Sequence, residues 1–139
     1  MISELYMNQE AVVRIAGGET HSGIIGRGVR QGCPLSPLLC SMFSIYAEMM
    51  MKGALENVED GIRVGGELIK DAKYADDQGM VADTEAGLQS LMDSLNATAK
   101  HYDMKINIKK TKAVVVSRNE GERVNITIEG QSVVQVSKF

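Results

Sequence analysis

Ala72-Lys73-Tyr74-Ala75-Asp76-Asp77-Gln78-Gly79-Met80-Val81-Ala82 is the stretch whose reading decides the fold. Two short runs of strand character, Ala72 to Ala75 and Gly79 to Ala82, flank a pair of adjacent carboxylates, which places Asp76 and Asp77 at the tip of a hairpin. Two neighbouring carboxylates on a tight turn between apolar strands repel each other unless cations neutralise them. Divalent metal ions do so, and hard oxygen ligands such as Asp suit Mg²⁺. Phosphoryl transfer onto a sugar hydroxyl uses two such ions about 3.5–4 Å apart, one activating the nucleophile and one stabilising the leaving group. Asp is also common in turns, so a plain hairpin turn is the more frequent meaning of such a dipeptide taken alone.

The neighbouring segments supply the rest of the pattern. Upstream, Ile62 to Val64, Gly65-Gly66 and Glu67 to Ile69 carry a second hairpin signature, with a two-glycine turn suited to positive backbone dihedrals. Downstream, Asp83 or Thr84 caps a helix in which Leu88, Leu91, Met92, Leu95, Ala99 and Tyr102 form an amphipathic stripe. A strand at Met104 to Ile108, a basic turn, a strand at Ala113 to Ser117 and a hairpin around Glu129-Gly130 are expected after it. Near the start, Ser3 to Gln9 contains a helix end, and Ala11 to Ile15 turns at Gly17-Gly18 into a strand over Thr20 to Ile25. A glycine-punctuated loop, Gly26 to Cys33, then leads into Ser36-Pro37, where Ser suits a helix cap and Pro its first turn. In the helix beyond it, Leu38, Leu39, Met42, Ile45, Tyr46, Met49 and Met50 recur at helical spacing, so one broad face is expected to be buried, with Gly53 marking its fading.

Composition sets outer limits. Hydrophobic residues make up 44% and charged residues 24% of the 139, which excludes a disordered chain and allows one domain with one core. Aromatics are 4%, with no Trp and nine Met, so the core rests on aliphatic and thioether side chains that specify packing weakly. A net charge of −3 is not the footprint of a general nucleic-acid binder, and such contact must come from a local cluster such as Lys105, Lys109, Lys110 and Lys112. A solvated face is the commoner meaning of such a Lys run. Cys33 and Cys40 show neither metal-ligand spacing nor a disulfide framework, so a reducing, intracellular setting is expected, and His21 and His101 have no ligand-like partners. The apolar stretch from Leu35 to Met51 is broken by Ser36, Pro37, Ser41, Ser44 and Glu48, which reads as a buried helix and not a membrane span; no membrane partner is expected.

Gly28-Val29-Arg30-Gln31-Gly32-Cys33-Pro34-Leu35-Ser36-Pro37-Leu38-Leu39 closely resembles the motif preceding the palm helix in reverse transcriptases of non-long-terminal-repeat retrotransposons and their group II intron relatives. In that family a Tyr-Ala-Asp-Asp tetrad comes next at a similar separation, and a further motif is matched here by Met104 to Lys112. All three occur in the family's order. The resemblance implies an α+β fold, a partial polymerase palm with a βαββαβ-like sheet, two helices on one face and the first strand missing. It implies one partial domain over residues 1–139, palm with part of the fingers. It further implies RNA-directed DNA polymerisation with Mg²⁺ (or Mn²⁺) as cofactor, and an RNA template, a DNA primer and a deoxynucleotide as partners.

By the same resemblance Asp76 and Asp77 are catalytic and hold the metals, and Lys110, in an Asn-x-x-Lys-Thr pattern, is the phosphate-facing lysine. Arg30, Gln31, Gly32, Pro34, Tyr74, Ala75 and Asn107 lie by the nucleotide and template. The family's palm needs another Asp on a strand before the palm helix, and Leu5-Tyr6-Met7-Asn8 resembles the region just after that strand. The expectation is therefore a fragment inactive alone, with an unpaired central sheet edge able to pair with a second copy or another strand. Two alternatives stay open: a non-enzymatic remnant or nucleic-acid-binding module working through Lys105 to Lys112, and an assembly in which a partner chain completes the site.

Overall fold

The computed structural model of the chain describes residues 2–26, 28–74, 77–119 and 121–138. They fall into two compact units, Met1–Phe43 and Ser44–Phe139.

In the first unit, α1 (Ile2–Tyr6) is followed by Asn8 in the left-handed region, with φ 54°, before β1 (Gln9–Ala11). β1 pairs antiparallel with β4 (Gly23–Ile25), and inside that loop β2 (Arg14–Ile15) pairs with β3 (Gly18–Glu19). The expected hairpin is thus present as two short ladders. Thr20 joins them, its amide donating to the Val13 carbonyl at 3.0 Å while its hydroxyl accepts from the Val13 amide at 3.0 Å. Val13, Ile15 and Ile24 are exposed, and neither buried apolar cluster of the described residues draws on this unit.

α2 (Ser36–Leu55) starts where the Ser-Pro signal places it and runs two residues past Gly53. Its start differs in detail: the Ser36 hydroxyl donates to the Arg30 carbonyl at 2.5 Å, and the Leu35 carbonyl accepts the Leu39 amide at 3.0 Å. The expected burial of its broad apolar face needs correction. Leu38, Met42, Ile45 and Met49 are each 58–62% exposed, whereas Met50, Met51, Ala54 and Leu55 are buried. Periodicity marks which face of a helix is apolar, but burial needs a partner element, and the buried cluster meets only the last turns of α2. By length and composition α2 is also long and apolar enough to cross a membrane, a test that core helices of soluble proteins pass as well.

The second unit holds the core. β5 (Ile62–Val64) and β6 (Glu67–Ile69) form the two-glycine hairpin, with Gly65 and Gly66 at φ 62° and 93° as such a turn requires. α3 (Glu85–His101) is capped by Thr84, whose hydroxyl accepts the Gly87 amide at 3.0 Å. Its stripe divides between two clusters: Leu91, Leu95 and Ala99 pack with Met50, Met51, Ala54 and Leu55 of α2, while Met92 packs with Ala113, Ile126, Ile128 and Val133.

The last part is less regular than expected. Met104 to Ile108 alternates half-buried with exposed residues, yet it forms no ladder among the described residues. A strand is defined by its partner's hydrogen bonds as much as by its own alternation, and no described strand pairs with this segment. The strand expected at Ala113 to Ser117 shrinks to β9 (Lys112–Ala113), paired in parallel with β12 (Val134–Gln135). β10 (Thr127–Ile128) and β11 (Gln131–Ser132) form the hairpin expected at Glu129-Gly130, both turn residues having positive φ. The α+β class holds, and the strands of the described residues pair as six two-stranded ladders, an arrangement consistent with a partial palm.

Candidate active site

β7 (Asp71–Tyr74) and β8 (Asp77–Met80) pair antiparallel with Asp71 opposite Met80, Lys73 opposite Gln78 and Tyr74 opposite Asp77. The Val81 amide extends the ladder to the Lys70 carbonyl at 2.9 Å. This register leaves a two-residue connection, Ala75 and Asp76, which lies outside the described residues. Asp77 is exposed and opens β8, so it flanks the tip instead of occupying it. Strand alternation puts Gln78 and Met80 on one face, Met80 packing on both clusters, and Asp77 with Gly79 on the other.

The exposed Asp77 carboxylate is a hard oxygen donor of the kind a divalent cation takes, and Asp76 adjoins it in sequence. No group of three or more His, Cys, Asp or Glu gathers among the described residues, so they supply one carboxylate of the expected set.

Two residues that sequence reasoning did not single out lie close by. Lys73 donates to both carboxylate oxygens of Glu48 in α2, at 3.0 and 2.8 Å, and stands 3.0 Å from Asp71 Oδ2. The Glu48 hydrogen bond, with Asp71 behind it, raises the Lys73 pKa above the ordinary lysine value against a smaller opposing effect of burial. One signal was legible: Glu48 is the lone charge in the apolar stretch of α2 from Ser36 to Met51.

The glycine-rich motif lies in the first unit. Gly28 and Gly32 have φ 96° and 83°, and a Cβ built on either meets nothing within 4 Å, so the left-handed backbone and not close packing calls for glycine there. Arg30, Gln31, Gly32 and Pro34 are all exposed beside the start of α2. Cys33 is half-buried, and the Tyr6 hydroxyl lies 3.7 Å from its sulfur as donor. Its thiol is held below the ordinary range, first by the Leu35 backbone and then by Tyr6.

The lysine motif is a turn built on Asn107. Its carbonyl accepts from the Lys110 amide at 3.0 Å, the Thr111 amide at 2.9 Å and the Thr111 hydroxyl at 3.0 Å, while its Oδ1 accepts from the Lys110 amide at 3.3 Å. Asn107 therefore shapes the turn on which Lys109 and Lys110 stand exposed. Lys112 folds back, its ammonium donating to the Lys109 carbonyl at 3.3 Å.

A tight hairpin bearing adjacent acids, a glycine-rich entry to a long helix and a lysine turn together are features of one polymerase class. Residues 1–134 match the reverse transcriptase (RNA-dependent DNA polymerase) family, and the chain belongs to it. Among curated relatives, it is 28% identical over 116 residues to the retrovirus-related Pol polyprotein from the type-2 retrotransposable element R2DM of Drosophila melanogaster, covering 84% of this chain and 10% of that protein. It is 35% identical over 96 residues to the retrovirus-related Pol polyprotein from a type-1 retrotransposable element R2 of Nasonia vitripennis, covering 68% of this chain and 9% of that protein. The chain thus spans about a tenth of the length of these relatives.

Proposed function

We propose that residues 1–139 are a single partial retrotransposon reverse transcriptase domain, a partial palm with part of the fingers, and that the chain is inactive by itself. The observation that carries this reading is the β7–β8 register, which leaves Ala75 and Asp76 alone between Tyr74 and Asp77 in a chain matched along residues 1–134 by the family. In the longer protein the partners are an RNA template, a DNA primer and a deoxynucleotide. Asp76, assisted by Asp77, would hold the Mg²⁺ (or Mn²⁺) ions. The bound ions supply activation of the primer hydroxyl and charge neutralisation on the leaving pyrophosphate. Lys110, exposed on its turn, is the phosphate-facing lysine of this reading, and Arg30, Gln31, Gly32 and Pro34 in the first unit, like Tyr74 and Ala75 in the second, are assigned to nucleotide and template by the family resemblance. Asn107 contributes by holding the turn that aims Lys110.

The test is Mn²⁺ binding together with primer extension on an RNA template, with the Asp76→Asn variant as control. Expected are Mn²⁺ binding that Asp76→Asn weakens and no extension by the chain alone. Binding untouched by Asp76→Asn sinks the metal assignment; extension that vanishes in Asp76→Asn overturns the claim of inactivity.

A second reading, a module that binds nucleic acid without catalysis, is favoured by the exposure of Lys105, Lys109 and Lys110. It requires RNA binding that weakens steeply with salt and is lost on replacing these lysines by Ala. The outer edges of β7–β8 carry no strand among the described residues, which supports pairing with a second copy. A strict monomer by mass measurement in solution rules that out. The ion pair of Glu48 with Lys73 and the packing of the last turns of α2 on α3 support reading α2 as a helix that packs on protein and not as a membrane span.

A further inference from the structure

One cation joins a helix to a hairpin that lies further along the chain. Lys73 directly precedes the Tyr-Ala-Asp-Asp tetrad, and its ammonium bridges Glu48 of α2 and Asp71 of its own strand. Asp71 and Lys73 share a strand face by alternation, and it is the face of Gln78 and Met80, away from Asp77. The Lys73 side chain is 32%, that of Asp71 25% and that of Glu48 58% exposed, so the Asp71 contact is screened less than an ordinary surface pair while the Glu48 contact is open to solvent.

A second grip lies three residues back. The Lys70 ammonium donates at 2.7 Å to the carbonyl of Leu55, which ends α2 and has no intrahelical donor. Met80, opposite Asp71 in the ladder, also packs on the cluster that includes the last turns of α2, and that apolar contact is not directional. The two polar attachments, at Glu48 and at Leu55, add defined partners at two points along the helix to that packing.

We propose that the Glu48–Lys73–Asp71 triad, with Lys70 as its second anchor, is a positioning device that sets the hairpin carrying Asp76 and Asp77 at a fixed angle on α2. A ligand held rigidly binds a cation better than the same ligand on a loose turn. This rests on the reading of Asp76 and Asp77 as metal ligands. Lys73 is a positioning residue and touches none of the reacting atoms.

Charge alone makes the opposite forecast for one of the two partners. Removing a positive group near two carboxylates tightens cation binding, and removing a negative one weakens it. Positioning requires that removal of either partner weakens it.

The experiment measures Mn²⁺ affinity by electron paramagnetic resonance, and amide hydrogen exchange over the hairpin, in the 139-residue chain. The variants are Lys73→Met, Glu48→Gln, the double variant and Lys73→Arg, with circular dichroism to confirm that each folds. Both single variants are expected to bind Mn²⁺ about three- to fivefold more weakly and to exchange faster across β7–β8, while the double variant is no worse than Lys73→Met. Lys73→Arg, whose guanidinium can still bridge both acids, restores both readouts. Tighter Mn²⁺ binding in Lys73→Met, or unchanged exchange in both single variants, overturns the proposal. If Asp76→Asn leaves Mn²⁺ binding intact, the metal assignment fails separately, and hydrogen exchange still decides whether the triad pins the hairpin.

Discussion

Leu91→Ala and Met42→Ala test the distribution of burial, because helical periodicity assigns both side chains to a core while the structure assigns only one. Leu91 is fully buried between α3 and the last turns of α2. Shortening it to Ala removes apolar groups worth about 0.8 kcal/mol per CH₂ and leaves a cavity, so the expected cost is about 3–4 kcal/mol. For a domain whose total stability is about 5–15 kcal/mol, that is a large share. Met42 is 59% exposed, and Ala is at least as good a helix former, so its replacement should stay within about 0.5 kcal/mol. The assay is urea unfolding followed by far-ultraviolet circular dichroism at two protein concentrations. A Met42→Ala loss of about 2 kcal/mol or more, independent of concentration, would mean that the α2 face is covered within the chain and would refute the reasoning. The same loss appearing only at the higher concentration would place a second copy on that face.

Thr84→Ala removes the hydroxyl that accepts the Gly87 amide and should cost about 1 kcal/mol in the same urea assay, with Thr84→Ser largely restoring it. Gly61→Ala places a Cβ 2.6 Å from the Ile69 carbonyl oxygen, at a glycine with φ 158°, and should destabilise by about 1–3 kcal/mol; an unchanged midpoint would contradict this packing. Glu129 is held below the ordinary carboxylate range by Lys100 at 2.7 Å. Because its folded pKa is the lower one, the pair contributes stability above the unfolded pKa of about 4.3 and loses it as pH falls through the folded value. Glu129→Gln should therefore lower the urea midpoint slightly near neutrality and have no effect in strong acid, a difference read by repeating the titration at both.

The legible part of the sequence was local. The two-glycine turn at Gly65-Gly66, the Thr84 cap and the stripe on α3 each depend on residues a few positions apart, and the structure holds all three. The α+β class and the hairpin around the two acids rest on the same short-range signals. Burial of α2 was not legible, since a row of apolar residues states what a helix could cover and not what stands beside it. Met104 to Ile108 keeps strand alternation without a ladder, for the corresponding reason that pairing belongs to two segments. Of the candidate site, the hairpin that carries Asp77 could be read, whereas the place of Asp77 on β8 beside the tip and the tie from Lys73 to Glu48 could not, the latter because it exists only once a helix and a hairpin meet. The internal role of Asn107 was hidden behind a family pattern that names it with Lys110 and Thr111.

The parallel pairing of β9 with β12 bears on how the chain comes off the ribosome. Lys112 and Ala113 have no ladder partner until Val134 and Gln135 have been made and have returned across the β10–β11 hairpin. Ala113 and Val133 belong to the same buried cluster, so the side of α3 around Met92 is only partly covered through that interval, while the side around Leu91 already has its α2 partners. Synthesis thus imposes a sequence in which one half of the interior closes early and the other waits on a distant segment, the step at which a growing chain is most open to capture by a neighbour.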